Sequence, residues 1–321
     1  MFRSFLAVVS PDDREVLRAE CELLFTASSK ADPSQKYSQG QTLWVGAEQE
    51  PRWAVERYAL QVFRAHTQGL VFDAAKSGVE FWPLVLDTID DVGAHYDKDY
   101  GAEDDNLAFY PNYGTVTYLT GASGAPTMFF ENTEDEGPIP VTIKRGYLSK
   151  VVPGKHVRFD GRLLHCASSS VATLAAQRWV PELVEKTATK KRVTLLINVW
   201  LDHRPSDPIV LPLEPPEHLS AEKLTDSFSL DTEEELTNVP GSRTGGVHVS
   251  MIMDEKRELS FRIPIENVVQ CKTSSVAIQF EDGAALVQQP QKKSKAKGKP
   301  EKGKYQKKRR GKKLKPWEKK R

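Results

Sequence analysis

The heptapeptide HYDKDYG holds two ligand-type side chains, His95 and Asp97, two positions apart. A third, His165, closes the segment FDGRLLH, 68 positions beyond Asp97. Two imidazoles and one carboxylate form a facial triad for Fe(II), leaving three cis positions open for a chelating co-substrate and oxygen. That geometry needs two ligands close in sequence and a third brought across by a neighbouring strand. By itself H-x-D also suits a solvated turn, with Asp97 supporting the backbone and His95 exposed. The stretch KKRVTLLINVWLD adds a cation. In a strand, alternation puts Arg192, Thr194, Leu196, Asn198 and Trp200 on one face and Val193, Leu195, Ile197 and Val199 on the other. The aliphatic face belongs against outer layers. A buried Arg192 with Thr194 beside it would clamp a carboxylate through charge-assisted bonds. At an exposed strand end it would be an ordinary surface Arg.

Strands are needed to carry these side chains, and the sequence supplies them. From Val79 to about Arg204 the texture is one of strands and Gly/Pro/Asn turns: VEFWPLVLD, TVTYLT, PTMFFE, PVTIKRGYLSKVV, KHVRFDGRLLH and RVTLLINVWLD. KHVRFDGRLLH reads as one strand ending at His165, and HYDKDYG as the loop between the first two. Two helices precede this core. SPDDREVLRAECELLF begins with a capping Ser10, Pro11 at the first position and Asp12 and Asp13 at the positive helix end. PRWAVERYALQVFRAH repeats Trp53, Val55, Tyr58, Val62 and Phe63 at helical spacing. The intervening SSKADPSQKYSQGQ reads as a loop, and residues 169–191 as a partly helical insert. The expected organisation is helical support over 1–78, a β core over 79–204, a linker and extra strands over 205–290, and a disordered basic tail over 291–321. The fold class is mainly β with flanking helices.

Together these residues resemble the 2-oxoglutarate and Fe(II)-dependent dioxygenases, most closely the prolyl-hydroxylase-like branch, with its H-x-D, distal His and following basic residue. The resemblance covers about Val79 to Arg204. It implies a double-stranded β-helix (jelly-roll) core, with His95, Asp97 and His165 as iron ligands. It implies Arg192 as the residue holding the far carboxylate of 2-oxoglutarate, with Tyr118 and Thr194 as further hydrogen-bonding candidates. The implied cofactors are Fe(II), 2-oxoglutarate and O2, with ascorbate as an auxiliary reductant. The implied reaction is hydroxylation of a protein side chain, Pro first. One departure stands out: twenty-six residues separate His165 from Arg192, a longer interval than is usual in the family. Arg178 lies nearer the usual spacing, but Arg192 opens a strand and is preferred. Two alternatives remain: a nucleic-acid oxidative demethylase, and an inactive β-helix adaptor acting through its tail.

Charge is divided unevenly. Residues 291–321 hold 17 of the 45 basic residues and 2 of the 44 acidic ones, so the first 290 residues carry 28 basic against 42 acidic groups. This tail, with its KKRRGKKLK, points to the nucleus or nucleolus, with the cytoplasm as alternative. Through phosphate contacts it could hold RNA or ribosomal particles. Three widely spaced cysteines, Cys21, Cys166 and Cys271, argue against a disulfide framework. The opening MFRSFLAVVSPDDRE does not read as a signal peptide, and no run approaches the length of a membrane span. Among other chemical side chains, His156 is a substitute third ligand and Cys166 a small core residue. Lys98 and Asp99 are expected to keep the H-x-D loop solvated, and Asn106, Tyr110 and Tyr113 to line an entrance. His203, His218 and His248 show no paired spacing.

Overall fold

The computed structural model describes residues 1–31, 42–87, 90–103, 105–120, 125–134, 140–171, 191–211, 219, 224, 228–241, 246–254 and 256–288. The strands are β1 (Arg3–Phe5), β2 (Leu43–Gly46), β3 (Gly78–Leu86), β4 (Val92–His95), β5 (Tyr113–Tyr118), β6 (Thr127–Phe130), β7 (Val141–Ser149) and β8 (His156–Asp160). They continue as β9 (Leu164–Ala167), β10 (Arg192–Trp200), β11 (Ile209–Val210), β12 (Thr237–Pro240), β13 (Val247–Ile252), β14 (Arg257–Ile263) and β15 (Ser275–Gln288). The helices are α1 (Pro11–Ala31), α2 (Ala54–Thr67), α3 (Tyr100–Glu103) and α4 (Ile265–Gln270). At the start of α1, Ser10 Oγ accepts from the Asp13 N–H at 3.2 Å, the side-chain cap that leaves fewer orphan donors there.

Strands β3 to β10 form a jelly roll. One sheet contains β8-β5-β10-β3 and the facing sheet β7-β6-β9-β4, every neighbouring pair antiparallel. The chain crosses between the sheets at nearly every step, which is what wraps it into two facing layers. In the first sheet, Val193, Leu195, Ile197 and Val199 pack outward with Val79, Phe81, Leu17, Val55 and Tyr58 under α1 and α2. The opposite face of the same strands therefore looks into the roll. There Val116, Tyr118, Val157 and Phe159 meet Phe129 and Tyr147 of the facing sheet. Polar side chains on this inner face are enclosed between two sheets.

The facing sheet does not stop at β7. It continues through β15 and β14 to β13, which returns toward β4. A Cβ on Gly93 of β4 would lie 3.1 Å from the Ile252 carbonyl oxygen of β13. The sheet is thus nearly closed on itself. Its far side encloses a second core in which Met128, Phe130, Leu148, Leu164 and Cys166 meet Phe261, Phe280, Ile265 and Val268.

Two sequence expectations change. KHVRFDGRLLH is not one strand but two, β8 and β9, in different sheets. The chain turns at Asp160–Leu163, where Arg162 N–H bonds Asp160 Oδ1 at 3.1 Å and Gly161 lies so close to Pro111 that a Cβ would be 2.2 Å from its carbonyl oxygen. His95 is not in a loop but at the last position of β4. The partly helical insert lies, from residue 172 to 190, outside the described residues, as do Arg178, His218 and the basic tail.

Candidate metal centre

Antiparallel pairing places His95 of β4 directly opposite His165 of β9, so their side chains leave the sheet on one face. The rings lie 4.2 Å apart between centroids. Asp97, two residues past His95, completes the group: one ligand atom from each of the three residues falls within 4.8 Å of the others. His95 Nδ1–H donates to Gly93 O at 2.8 Å and His165 Nδ1–H to Leu163 O at 2.9 Å. In the neutral imidazoles these bonds fix the tautomer and leave Nε2 as the lone pair. Both lone pairs face the Asp97 carboxylate, at 3.6 and 3.7 Å, too far to be hydrogen bonds. His165 is 4% exposed and its Nε2 is a buried acceptor with no partner. Burial, with His95 adjacent, pushes its pKa down to about 4 against the pull of Asp97. Leaving such an atom unsatisfied costs on the order of 1–3 kcal/mol. Two imidazole lone pairs and a carboxylate converging without a proton between them fit a divalent cation, and the donor set suits Fe(II). Phe159 and Phe129 shield the site, with rings 5.1 and 6.2 Å from that of His165.

The loop after Asp97 is held rather than merely solvated. Lys98 Nζ bonds Glu134 at 3.0 and 3.2 Å and Glu103 at 2.9 Å. Asp99 is 3% exposed and accepts from His203 Nε2 at 2.9 Å and from Ser206 N and Oγ. These bonds, with others from Ala102, hold its pKa down against burial. Tyr96 OH donates to Asn132 Oδ1 at 2.5 Å. The expectation of a solvated loop is therefore corrected, and His203 has a partner that chain spacing did not disclose.

A second polar group lies deeper between the sheets. Arg192 is 2% exposed. Its Nη1 donates to Ala125 O and its Nη2 to Thr127 Oγ1 at 2.8 Å, while Nε has no partner. Its guanidinium lies 5.4 Å from the Tyr118 ring centroid. Tyr118 OH is within hydrogen-bonding distance of Thr127 Oγ1 and Ser149 Oγ, at 2.8 and 2.9 Å. Thr194 Oγ1 is turned to Leu84 O at 3.4 Å, so it is the less available of the two hydroxyls named from sequence. Burial lowers the Arg192 pKa, and Tyr118 opposes this. No carboxylate pairs with Arg192 among the described residues. A buried cation without a counter-charge is costly, and an anion entering here would relieve it. Lys155, fully buried, lies 5.7 Å from the same Tyr118 ring and donates to Lys150 O and Ser274 O. Thr127, Ser149 and Lys155 were not singled out from sequence. The only signal for the first is that PTMFFE alternates like a strand.

His156 is not near the triad. On the outer face of β8 its Nε2 bonds His66 Nε2 at 2.9 Å and its Nδ1 bonds Thr117 Oγ1 at 2.8 Å. Cys166 points away from His165 into the second core.

No protein-family model and no curated protein sequence matches this chain. Similar solved structures include a prolyl-4-hydroxylase from Pseudomonas putida, 17% identical over 64% of this chain and 87% of that one, with TM-score 0.36. HygX from Streptomyces hygroscopicus, with nickel and 2-oxoglutarate bound, is 12% identical over 62% and 81%, with TM-score 0.34. SnoK, a non-heme alpha ketoglutarate dependent carbocyclase from nogalamycin biosynthesis, is 13% identical over 64% and 82%, with TM-score 0.35. Likeness this distant carries no argument for chemistry, which has to come from the side chains.

Proposed function

We propose that this chain is an Fe(II)- and 2-oxoglutarate-dependent dioxygenase that hydroxylates a protein side chain, with Pro the first candidate from sequence. The observation that carries the reading is the convergence of His95 Nε2, His165 Nε2 and an Asp97 oxygen, with the His165 atom buried and unsatisfied. When bound, Fe(II) with 2-oxoglutarate and O2 supplies oxidative decarboxylation to succinate and carbon dioxide, coupled to hydroxylation of a C–H bond. His95, Asp97 and His165 would hold the metal through three neighbouring positions. Arg192 would take the far carboxylate of 2-oxoglutarate, with Thr127 and Tyr118 presenting hydroxyls beside it. Phe129 and Phe159 keep water from the imidazole of His165, and the Nδ1–H bonds to Gly93 and Leu163 hold both rings in orientation.

The decisive experiment has two stages. Anaerobic titration with Fe(II) and then 2-oxoglutarate should show ordered binding in the native chain. Aerobic turnover with candidate proteins should then give succinate and a mass increase of one oxygen atom. Failure to bind Fe(II) would defeat the proposal and return the chain to the adaptor reading. The basic segment 291–321 supports a separate proposal: nuclear or nucleolar residence, with salt-sensitive contacts to RNA or ribosomal particles.

A further inference from the structure

The inner face of the first sheet carries an aromatic and acidic group that neither the metal ligands nor the Arg192 pocket uses. Glu80 of β3 lies opposite Trp44 of β2 on one side and Asn198 of β10 on the other. Alternation keeps Trp82 on the same face, and Trp200 stands opposite Gly78. Glu80 Oε2 accepts from Trp200 Nε1 at 3.1 Å. Gly78 is required here, because a Cβ would lie 2.7 Å from Trp44 Cζ2: the indole covers that backbone. Trp44 and Trp200 are buried, whereas Glu80 and Trp82 are partly exposed.

Charge makes the group unusual. Glu80 receives hydrogen bonds from the neutral side chains of Thr42, Asn198 and Trp200. Burial pushes its carboxyl up to about 7 against those hydrogen bonds. Arg204 stacks on Trp44 at 5.6 Å from the ring centroid but forms no ion pair with Glu80 among the described residues. A carboxylate kept beside indoles and without an ion-pair partner among the described residues is costly unless a cation arrives. A partly exposed indole, that of Trp82, and a carboxylate are together the chemistry that receives an organic cation.

We infer that Glu80, with Trp82 beside it, receives a cationic side chain of the substrate, the ammonium of Lys or the guanidinium of Arg in a polypeptide. This deepens the proposed oxygenase function and rests on it for the reaction, though not for the binding. A nucleic-acid substrate is disfavoured at this wall, since its phosphates would meet Glu80 on an acidic body.

The test uses the full chain with Fe(II) and 2-oxoglutarate, without oxygen. Capped lysine, capped arginine and capped norleucine (each an N-acetyl methylamide) are titrated while tryptophan fluorescence and heat are recorded. The cations should bind roughly ten- to a hundredfold tighter than norleucine, the usual range for a charge-assisted contact. Glu80→Gln, which keeps an acceptor for Trp200, should abolish that preference and leave iron and 2-oxoglutarate binding intact. Trp82→Leu should weaken both cations while keeping the order. Equal binding of lysine and norleucine, or an unchanged preference in Glu80→Gln, would overturn the inference. So would displacement of capped lysine by adenosine monophosphate, which would make the wall a base-stacking surface. Free L-lysine should bind more weakly than the capped form, and equal affinity would replace the polypeptide with a free amino acid. Cation selectivity without Fe(II) binding would sink the oxygenase reading alone. Iron and 2-oxoglutarate binding without selectivity would sink this inference alone.

Discussion

Replacing Glu80 by Gln should make the protein more stable at alkaline pH than at acid pH, relative to its parent. In the folded chain, burial first and then Asp97 raise the Glu80 carboxyl from 4.5 to about 7, against the donors Thr42, Trp200 and Asn198. A carboxyl that holds its proton more tightly when folded stabilises the fold fully below pH 4.5. That contribution drains away as pH rises through 7. The shift corresponds to about 3 kcal/mol at roughly 1.4 kcal/mol per pH unit. Gln does not titrate and escapes the loss. Any harm from imperfect replacement of the hydrogen bonds is independent of pH and moves both ends of the curve equally. Urea unfolding of metal-free protein at pH 5 and pH 8 should therefore show the variant gaining on the parent by about 2–3 kcal/mol across the window. A flat difference between the two pH values would refute the reasoning. It would mean that Glu80 titrates normally, that the wall is wetter than described, and that no stored demand for a cation exists there.

The candidate metal ligands make a sharper set. His95→Ala, Asp97→Ala and His165→Ala should each lose iron and 2-oxoglutarate turnover, while His156→Ala, altered on the opposite face of the sheet, should keep iron binding by anaerobic titration. Arg192→Ala should raise the 2-oxoglutarate requirement roughly ten- to a hundredfold with iron still bound. Thr127→Val should raise it less, since the guanidinium remains. Deleting residues 291–321 should preserve 2-oxoglutarate turnover and abolish nuclear enrichment and salt-sensitive RNA binding, as read by imaging of tagged chains and by a salt titration.

The order of chemical residues along the chain was legible because the motif HYDKDYG, the segment FDGRLLH and the strand starting at Arg192 are local patterns. Alternation alone separated Val193, Leu195, Ile197 and Val199 from Arg192, Thr194, Asn198 and Trp200, and the structure keeps that division. What alternation does not supply is the partner strand. It shows that Glu80 and Trp82 share a face, but not that Trp44 will lie beside Glu80 or Trp200 reach it. Thr127 meets Arg192 only because two sheets face each other, a contact 65 positions apart in sequence. The division of KHVRFDGRLLH was in principle readable, since Asp160-Gly161 is a turn signal. It was masked by apolar residues on both sides that suit either one strand or two. Asp99 looked like loop solvation because its partners, His203 and Ser206, arrive from beyond β10.

The near closure of the second sheet gives its strands two interiors. β4 and β9 present His95 and His165 to one cavity and, from alternate positions, Ala94, Leu164 and Cys166 to the other. A fragment trimmed to the jelly roll alone, ending near residue 204, would keep every candidate ligand yet turn Met128, Phe130, Leu148, Leu164 and Cys166 toward water. A surface of that kind drives self-association. Anyone seeking a minimal soluble fragment should therefore cut after β15 instead. The segment beyond β10 acts as the back plate on which the imidazole-bearing strands are mounted, and changes in it should be felt at the candidate metal site without touching His95, Asp97 or His165.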